Sequence, residues 1–192
     1  MGKVVNVFET ERKYLIKSFT KDFLWDREFI IYQWYDSQEK EKKTKLIIDL
    51  PNLTTKWVRV TKKRLSNAES QKNIEYLNSK DVNLNDLVGE QFVCKRRALK
   101  GKISIDYFVR SNEICKYLLE DEGDEQLLND FISTYKVELT EVTNDVSYRN
   151  TNMTTKFTDK DKEQLLFLLD VIEIPNGGGR SGNLSFAKDA LL

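Results

Sequence analysis

The stretch Val7-Phe8-Glu9-Thr10-Glu11-Arg12-Lys13-Tyr14 decides how the rest of the chain is read. In a strand, side chains alternate between faces with a period of two. Glu9, Glu11 and Lys13 then share one face, while Phe8 and Tyr14 take the other. Two carboxylates spaced in this way can share a divalent cation, and a lysine next in the row can meet the negative charge which that cation carries. A solvated strand edge uses the same residue types, so the stretch alone leaves both readings open.

Composition narrows the chemistry. The 192 residues suit one domain, with or without a small appendage, and suffice for a real core. Thirty-one basic residues balance 31 acidic ones, so no bulk positive field argues for a nucleic-acid polymer. Histidine is absent, which removes imidazole general-base chemistry and His-ligated zinc together. Cys94 and Cys115 form no CxxC pair and read as reduced thiols of a cytoplasmic protein. No apolar run reaches a membrane-spanning length, and no signal-peptide core follows Met1.

Beyond the opening stretch the chain reads as short strands. Ser18 to Leu24 offers a short helix or turn, and Phe29 to Tyr35 is dense in aromatic and β-branched residues. Lys43 to Ile48 follows a charged turn, and Pro51-Asn52 breaks the chain again. In Trp57 to Lys63, Val58 and Val60 take one face and Arg59, Thr61 and Lys63 the other. Asn73 to Leu77 is a further strand, and a helical segment over 81–88 closes at Gly89. Lys95 and Arg97 share a strand face, as do Lys102, Ser104 and Asp106, and then Glu120 and Glu122. Hairpin-length breaks imply an antiparallel meander. An open sheet with one wet face accounts for this alternation. So does a closed barrel with its charges inside, where basic groups in a low-dielectric cleft would grip a polyanion and its metal. Periodicity does not choose between them.

Motifs add a resemblance. Glu9-x-Glu11-x-Lys13 resembles the opening signature of the CYTH family, the triphosphate tunnel enzymes. Lys43-x-Lys45 resembles that family's basic strand, Thr61-Lys62-Lys63 its Thr-x-Lys strand and Lys95-Arg96-Arg97 its Lys-x-Arg strand. Ile105 to Phe108 resembles Val-Asp-x-Phe, and Leu119 to Glu122 resembles the later Glu-x-Glu strand. Glu141 to Asn150 is similar to the closing Glu-Val-Thr-x-Asp-x-x-Tyr-x-Asn segment of bacterial members. The likeness spans residues 5 to 155.

The resemblance implies an α+β, mainly β fold: an eight-stranded antiparallel β-barrel, the triphosphate tunnel, with helices packed outside. Residues 1–155 would form the barrel, 156–175 a C-terminal helix packed on it, and 176–192 a Gly-rich flexible tail. The implied activity is metal-dependent hydrolysis of a triphosphate or polyphosphate with Mg²⁺ or Mn²⁺. A catalytically weak polyphosphate- or nucleotide-binding module, or a class IV-type adenylyl cyclase, are the alternatives. Glu9, Glu11, Glu120 and Glu122 would hold metal, with Glu9, Glu11 and Lys13 catalytic. Lys13, Lys43, Lys45, Arg59, Lys63, Lys95, Arg97 and Lys102 would bind phosphates, with Asp106 and Glu75 also in the tunnel. No membrane or nucleic-acid partner is implied, and a homodimer is left open. Two departures stand out. Asn73 to Leu77 replaces an Arg-x-Glu-x-Glu strand, and the basic strand carries lysines for arginines, losing the bidentate fork.

After Asn150, Thr158 to Glu163 opens like a capped helix whose apolar face is Leu165, Leu166, Leu168 and Leu169, with Pro175 ending it. Asn176 to Gly182 lacks the Gly-Lys-Ser/Thr ending of a phosphate loop and reads as a linker. Trp25, Trp34 and Trp57 read as core.

Overall fold

Short connections between strands rich in β-branched and aromatic residues produce an antiparallel sheet flanked by two helices. The structure is a computed structural model describing residues 4–18, 22–39 and 41–173. Its strands are β1 (Val4–Thr10), β2 (Arg12–Ser18), β3 (Arg27–Tyr35), β4 (Lys42–Asp49), β5 (Thr54–Arg64), β6 (Glu69–Leu77), β7 (Gln91–Lys100), β8 (Ile103–Arg110) and β9 (Tyr117–Asp121). Helix α1 (Glu125–Tyr135), β10 (Glu138–Glu141), β11 (Thr155–Lys156) and α2 (Asp159–Glu173) follow. The ladder runs β1-β6-β5-β4-β3-β7-β8-β9-β2-β10, with β11 on β7 and every pairing antiparallel.

The sheet therefore has eleven strands and its hydrogen-bond path is open at β1 and β10, where a closed ring of eight was expected. Much of the difference lies at Glu11. It is the single residue between β1 and β2, and its N–H leaves the ladder to donate to the Ala68 carbonyl, 2.8 Å away. One extended run thus changes partner at that residue, lying on β6 before it and on β9 after it. β10 and β11 are short additions of four and two residues.

Two apolar layers cover the outer face. Ile30, Tyr32 and Trp34 of β3, Leu46 and Ile48 of β4, Trp57 of β5, and Phe92 and Cys94 of β7 meet Leu165 and Leu168 of α2. Trp34 stacks on Trp57 at 5.8 Å and takes Phe157 edge-on at 5.3 Å. Tyr14, Ile103, Ile105 and Leu119 meet Leu128, Phe131 and Tyr135 of α1, with Trp25 packed alongside. A third cluster (Val93, Phe108, Leu118, Val142 and Met153) brings the segment after β10 against β7, β8 and β9.

Local sequence explains the helices. Asp124 caps α1 by accepting the Leu127 N–H at 3.0 Å, and Leu128, Phe131 and Tyr135 then fall on one face. No strand-like alternation marks that segment, and the motif reading passed over it. Thr158 and Asp161 form a reciprocal cap for α2: the Thr158 N–H donates to the carboxylate at 3.0 Å and its hydroxyl accepts the Asp161 N–H at 3.3 Å. Of the expected apolar face, Leu165 and Leu168 are buried while Leu166 is exposed. The helix expected over 81–88 is instead two three-ten turns, Ser79–Asp81 and Leu84–Leu87. Asn78 and Asn83 each cap one, and the extended backbone at Val82 and Asn83 keeps the turns from merging. The strand expected over 73–77 begins earlier, at Glu69. Residues 22–25 carry no regular structure, and the rest of the expected turn at 19–21 lies outside the described residues. So do Pro175 and the Gly-rich tail. No helix among the described residues is long and apolar enough to cross a membrane.

The α2 layer should carry much of the stability. Leu165→Ala leaves a cavity in a fully buried site, and we expect a loss of about 2–5 kcal/mol in urea unfolding. A loss under about 1 kcal/mol would mean that α2 packs loosely.

Candidate functional site

The inner face of the sheet is where the charges go. Because the outer face takes the large apolar side chains, the alternating partners on β1 to β9 turn inward. Register then aligns them: Lys45 lies opposite Gln33, Lys43 opposite Tyr35, Arg97 opposite Asp106, Lys13 opposite Glu120, and Lys62 opposite Lys72. Eight basic side chains (Lys13, Lys43, Lys45, Lys62, Arg64, Lys72, Lys95 and Arg97) and four acidic ones (Glu9, Glu11, Glu41 and Glu120) line one void, with Gln33, Tyr35, Asn150 and Thr151.

Ion pairs run through this interior. Asp106, without solvent exposure, accepts from Lys95 and from both Nε and Nη2 of Arg97, the latter two at 2.6 and 2.7 Å. Arg97 also donates to Glu120, and Lys13 bridges Glu120 at 3.2 Å to Glu11 at 2.9 Å. On the opposite side Lys72 contacts Glu9, and Lys62 reaches the same carboxylate at 3.4 Å. Burial would raise the Glu9 carboxyl, but Lys72 and then Lys62 outweigh it and hold the group at about 2. Burial likewise opposes ionised Glu120, and Arg97, Lys13 and Lys95 overcome it. Lys13 goes the other way: burial disfavours its charge, but Glu120 and Glu11 raise it above the ordinary lysine value.

Lys43 and Lys45 differ from these. Neither has a carboxylate within ion-pair reach among the described residues. Burial, then the neighbouring charges of Lys72, Lys62 and Lys95, push Lys43 down to about 7. Burial and the adjacent Lys43 push Lys45 well down too. Two buried acceptors, Gln33 Oε1 and Asn150 Oδ1, also lack a donor. The free space between these side chains is narrow, about 50 Å³. A larger guest has to open the internal pairs.

Most motif positions gather here: Glu9, Glu11, Lys13, Lys43, Lys45, Lys95, Arg97 and Glu120 line the void, and Asp106 anchors two of them. Four do not. Arg59 and Glu75 pair with each other at 3.4 Å on the outer face, side chains 44% and 42% exposed. Lys63 shares that face and is exposed. Lys102 sits in the turn between β7 and β8, exposed. Glu122 stays exposed just beyond β9; burial raises its carboxyl, and the Glu9 charge adds to that. Strand β5 carries cations on both faces, and pairing with β4 fixes its parity: Lys43 meets Val60 and Lys42 meets Thr61. Val58, Val60, Lys62 and Arg64 therefore turn inward, one position out of step with the expected Arg59 and Lys63. The motif reading missed Lys72 because it began that strand at Asn73. It missed Glu41 because that residue lies in a turn.

The carboxylates suit Mg²⁺ or Mn²⁺ in donor type, being hard oxygen ligands. Their placement does not suit an ion. No three acidic, cysteine or histidine side chains converge closely enough to hold one among the described residues. Glu9, Glu11 and Glu120 each accept from an ammonium or guanidinium.

No family model matches the chain, and no curated protein does. Two solved structures of the protein NE1496 are similar to it. One, described as a hypothetical protein, is 18% identical over 75% of this chain and 95% of its own, with a TM-score of 0.44. The other, described as an inorganic triphosphatase, is 16% identical over 78% of this chain and 99% of its own, with a TM-score of 0.45.

The Glu9 pairing has a pH signature. Its carboxyl is lower in the folded state, about 2 against 4.5, so its contribution is complete above pH 4.5 and drains away as pH falls toward 2. The full contribution is about 3 kcal/mol. Urea unfolding of wild type and Glu9→Gln should differ by that order at pH 7, with the gap narrowing below about pH 4.5. A gap independent of pH would remove the assignment.

Proposed function

We propose that the inner face binds a linear triphosphate or short polyphosphate and hydrolyses its terminal phosphoryl bond. One observation carries this reading: eight basic side chains face four acidic ones around a single void, an excess that suits a chain of phosphates. Taking β1, Glu11 and β2 as one strand, it and β3 to β9 make a run of eight strands, all but β8 giving a side chain to the void, in keeping with a tunnel. The order of motifs along the sequence supports the same class.

The residues divide the work. Lys43 and Lys45, with no carboxylate to neutralise them, would bind phosphate oxygens first and regain full charge as they do so. Arg97 presents a fixed fork, part of which Asp106 holds in place. Phosphoryl transfer leaves the protein little covalent work, so positioning and charge stabilisation account for most of the catalysis. Lys13, Lys62 and Lys72 would meet the charge that builds on the transferred and leaving groups. Water is the nucleophile: its oxygen bonds to the terminal phosphorus, the bridging P–O bond breaks, and its proton passes to solvent or phosphate.

A second reading, a polyphosphate-binding module without turnover, is favoured by the ammonium partners of Glu9 and Glu11. Phosphate release and calorimetric affinity, measured together with tripolyphosphate, ATP and thiamine triphosphate, separate the two. We expect binding and slow release for at least one of them. Lys45→Met or Arg97→Ala should weaken binding by about 1.5–3 kcal/mol per lost charged hydrogen bond, while Arg59→Ala and Lys63→Ala should leave it unchanged. Tight binding without release selects the module; no binding of any polyphosphate rejects both.

A further inference from the structure

We propose that polyphosphate binding in this interior needs no divalent cation, because lysine ammonium groups already occupy Glu9, Glu11 and Glu120, three of the four carboxylates expected to hold one. The inference rests on the anion-binding reading above and goes beyond it by assigning the ionic state of the ligand: free polyanion rather than metal complex.

Strand pairing produces the arrangement. β6 lies between β1 and β5, and Lys72 stands opposite Lys62 in that register. Both ammonium groups converge on Glu9, which lies on the next strand. Together they bring that carboxylate the charge of one divalent ion, from groups tethered to the sheet. Lys13 places a single charge between Glu11 and Glu120, at 2.9 and 3.2 Å, and Arg97 adds a second cation at Glu120. An incoming ion would have to displace at least one of these ammonium groups and leave it buried without a partner, beside Lys43 and Lys45, whose charges already crowd one another. Removing one member of a buried pair is costly for this reason. An ammonium has three donors, so Lys62, Lys72 and Lys13 can donate to phosphate oxygens as their carboxylate contacts lengthen. A free triphosphate supplies the negative charge that this surplus of cations lacks. A triphosphate chelated by Mg²⁺ brings two charges fewer and should bind less well.

Calorimetric titration of the full chain with tripolyphosphate tests this, once in EDTA and once in excess Mg²⁺. We expect binding in EDTA, and affinity about tenfold lower with Mg²⁺, the equivalent of one charged hydrogen bond. Equal affinity in the two buffers also supports cation independence. Binding only with Mg²⁺ would overturn the inference and leave the triphosphate reading standing. Binding in neither would overturn the reading itself. Lys72→Met, checked for native circular dichroism, should bind about tenfold more weakly in EDTA and recover part of the loss with Mg²⁺, since Glu9 is then freer to take an ion. If this variant loses nothing in EDTA, or if it unfolds while wild type requires Mg²⁺, the role given to Lys72 is wrong.

Discussion

The interior is organised by one wholly buried carboxylate. Asp106 lies where water cannot reach, and its charge is tolerable only because Lys95 and Arg97 donate to it from the neighbouring strand. That contact fixes the Arg97 fork, Arg97 holds Glu120, and Glu120 shares Lys13 with Glu11. The chain of pairs thus crosses β8, β7, β9 and β2 and makes the inner faces of these strands one electrostatic unit. Burying so many ions is weak support for stability in itself, because desolvation consumes much of the Coulombic gain. The apolar layers under α1 and α2 supply the stability that the charged interior does not.

Charge balance inside is deliberately incomplete in its geometry. The acidic groups are satisfied, whereas Lys43 and Lys45 sit among other cations and are pushed toward neutrality. A polyanion would reverse that push and take up protons on binding above pH 7. The narrow free space, about 50 Å³, makes the same point sterically: a guest enters by exchanging internal partners, not by filling a vacancy.

Sequence showed this site unevenly, for physical reasons. Period-two spacing placed Glu9, Glu11 and Lys13 together because all three share one parity, opposite Phe8 and Tyr14. The same holds for Lys95 and Arg97 against Phe92 and Cys94. Strand β5 has cations on both parities near its end, so only its register with β4 reveals that Lys62 and Arg64 point inward while Arg59 and Lys63 point out. Lys72 was invisible until the true start of β6 at Glu69 was known. Strand count was misleading for a related reason: a single residue, Glu11, lets one extended run serve two neighbours, and no propensity signals such a change of partner. Helix α1 escaped because its fully buried face rests on three residues, Leu128, Phe131 and Tyr135, with Leu127 and Ile132 only partly buried beside them.

The most direct measurement is a crystal structure of the protein soaked with tripolyphosphate. The account predicts phosphorus density on the inner face, with oxygens within hydrogen-bond distance of Lys43, Lys45 and Arg97, and with the Lys72–Glu9 contact lengthened to admit it. Density confined to the outer face beside Arg59 and Lys63, with the internal pairs unchanged, would contradict it.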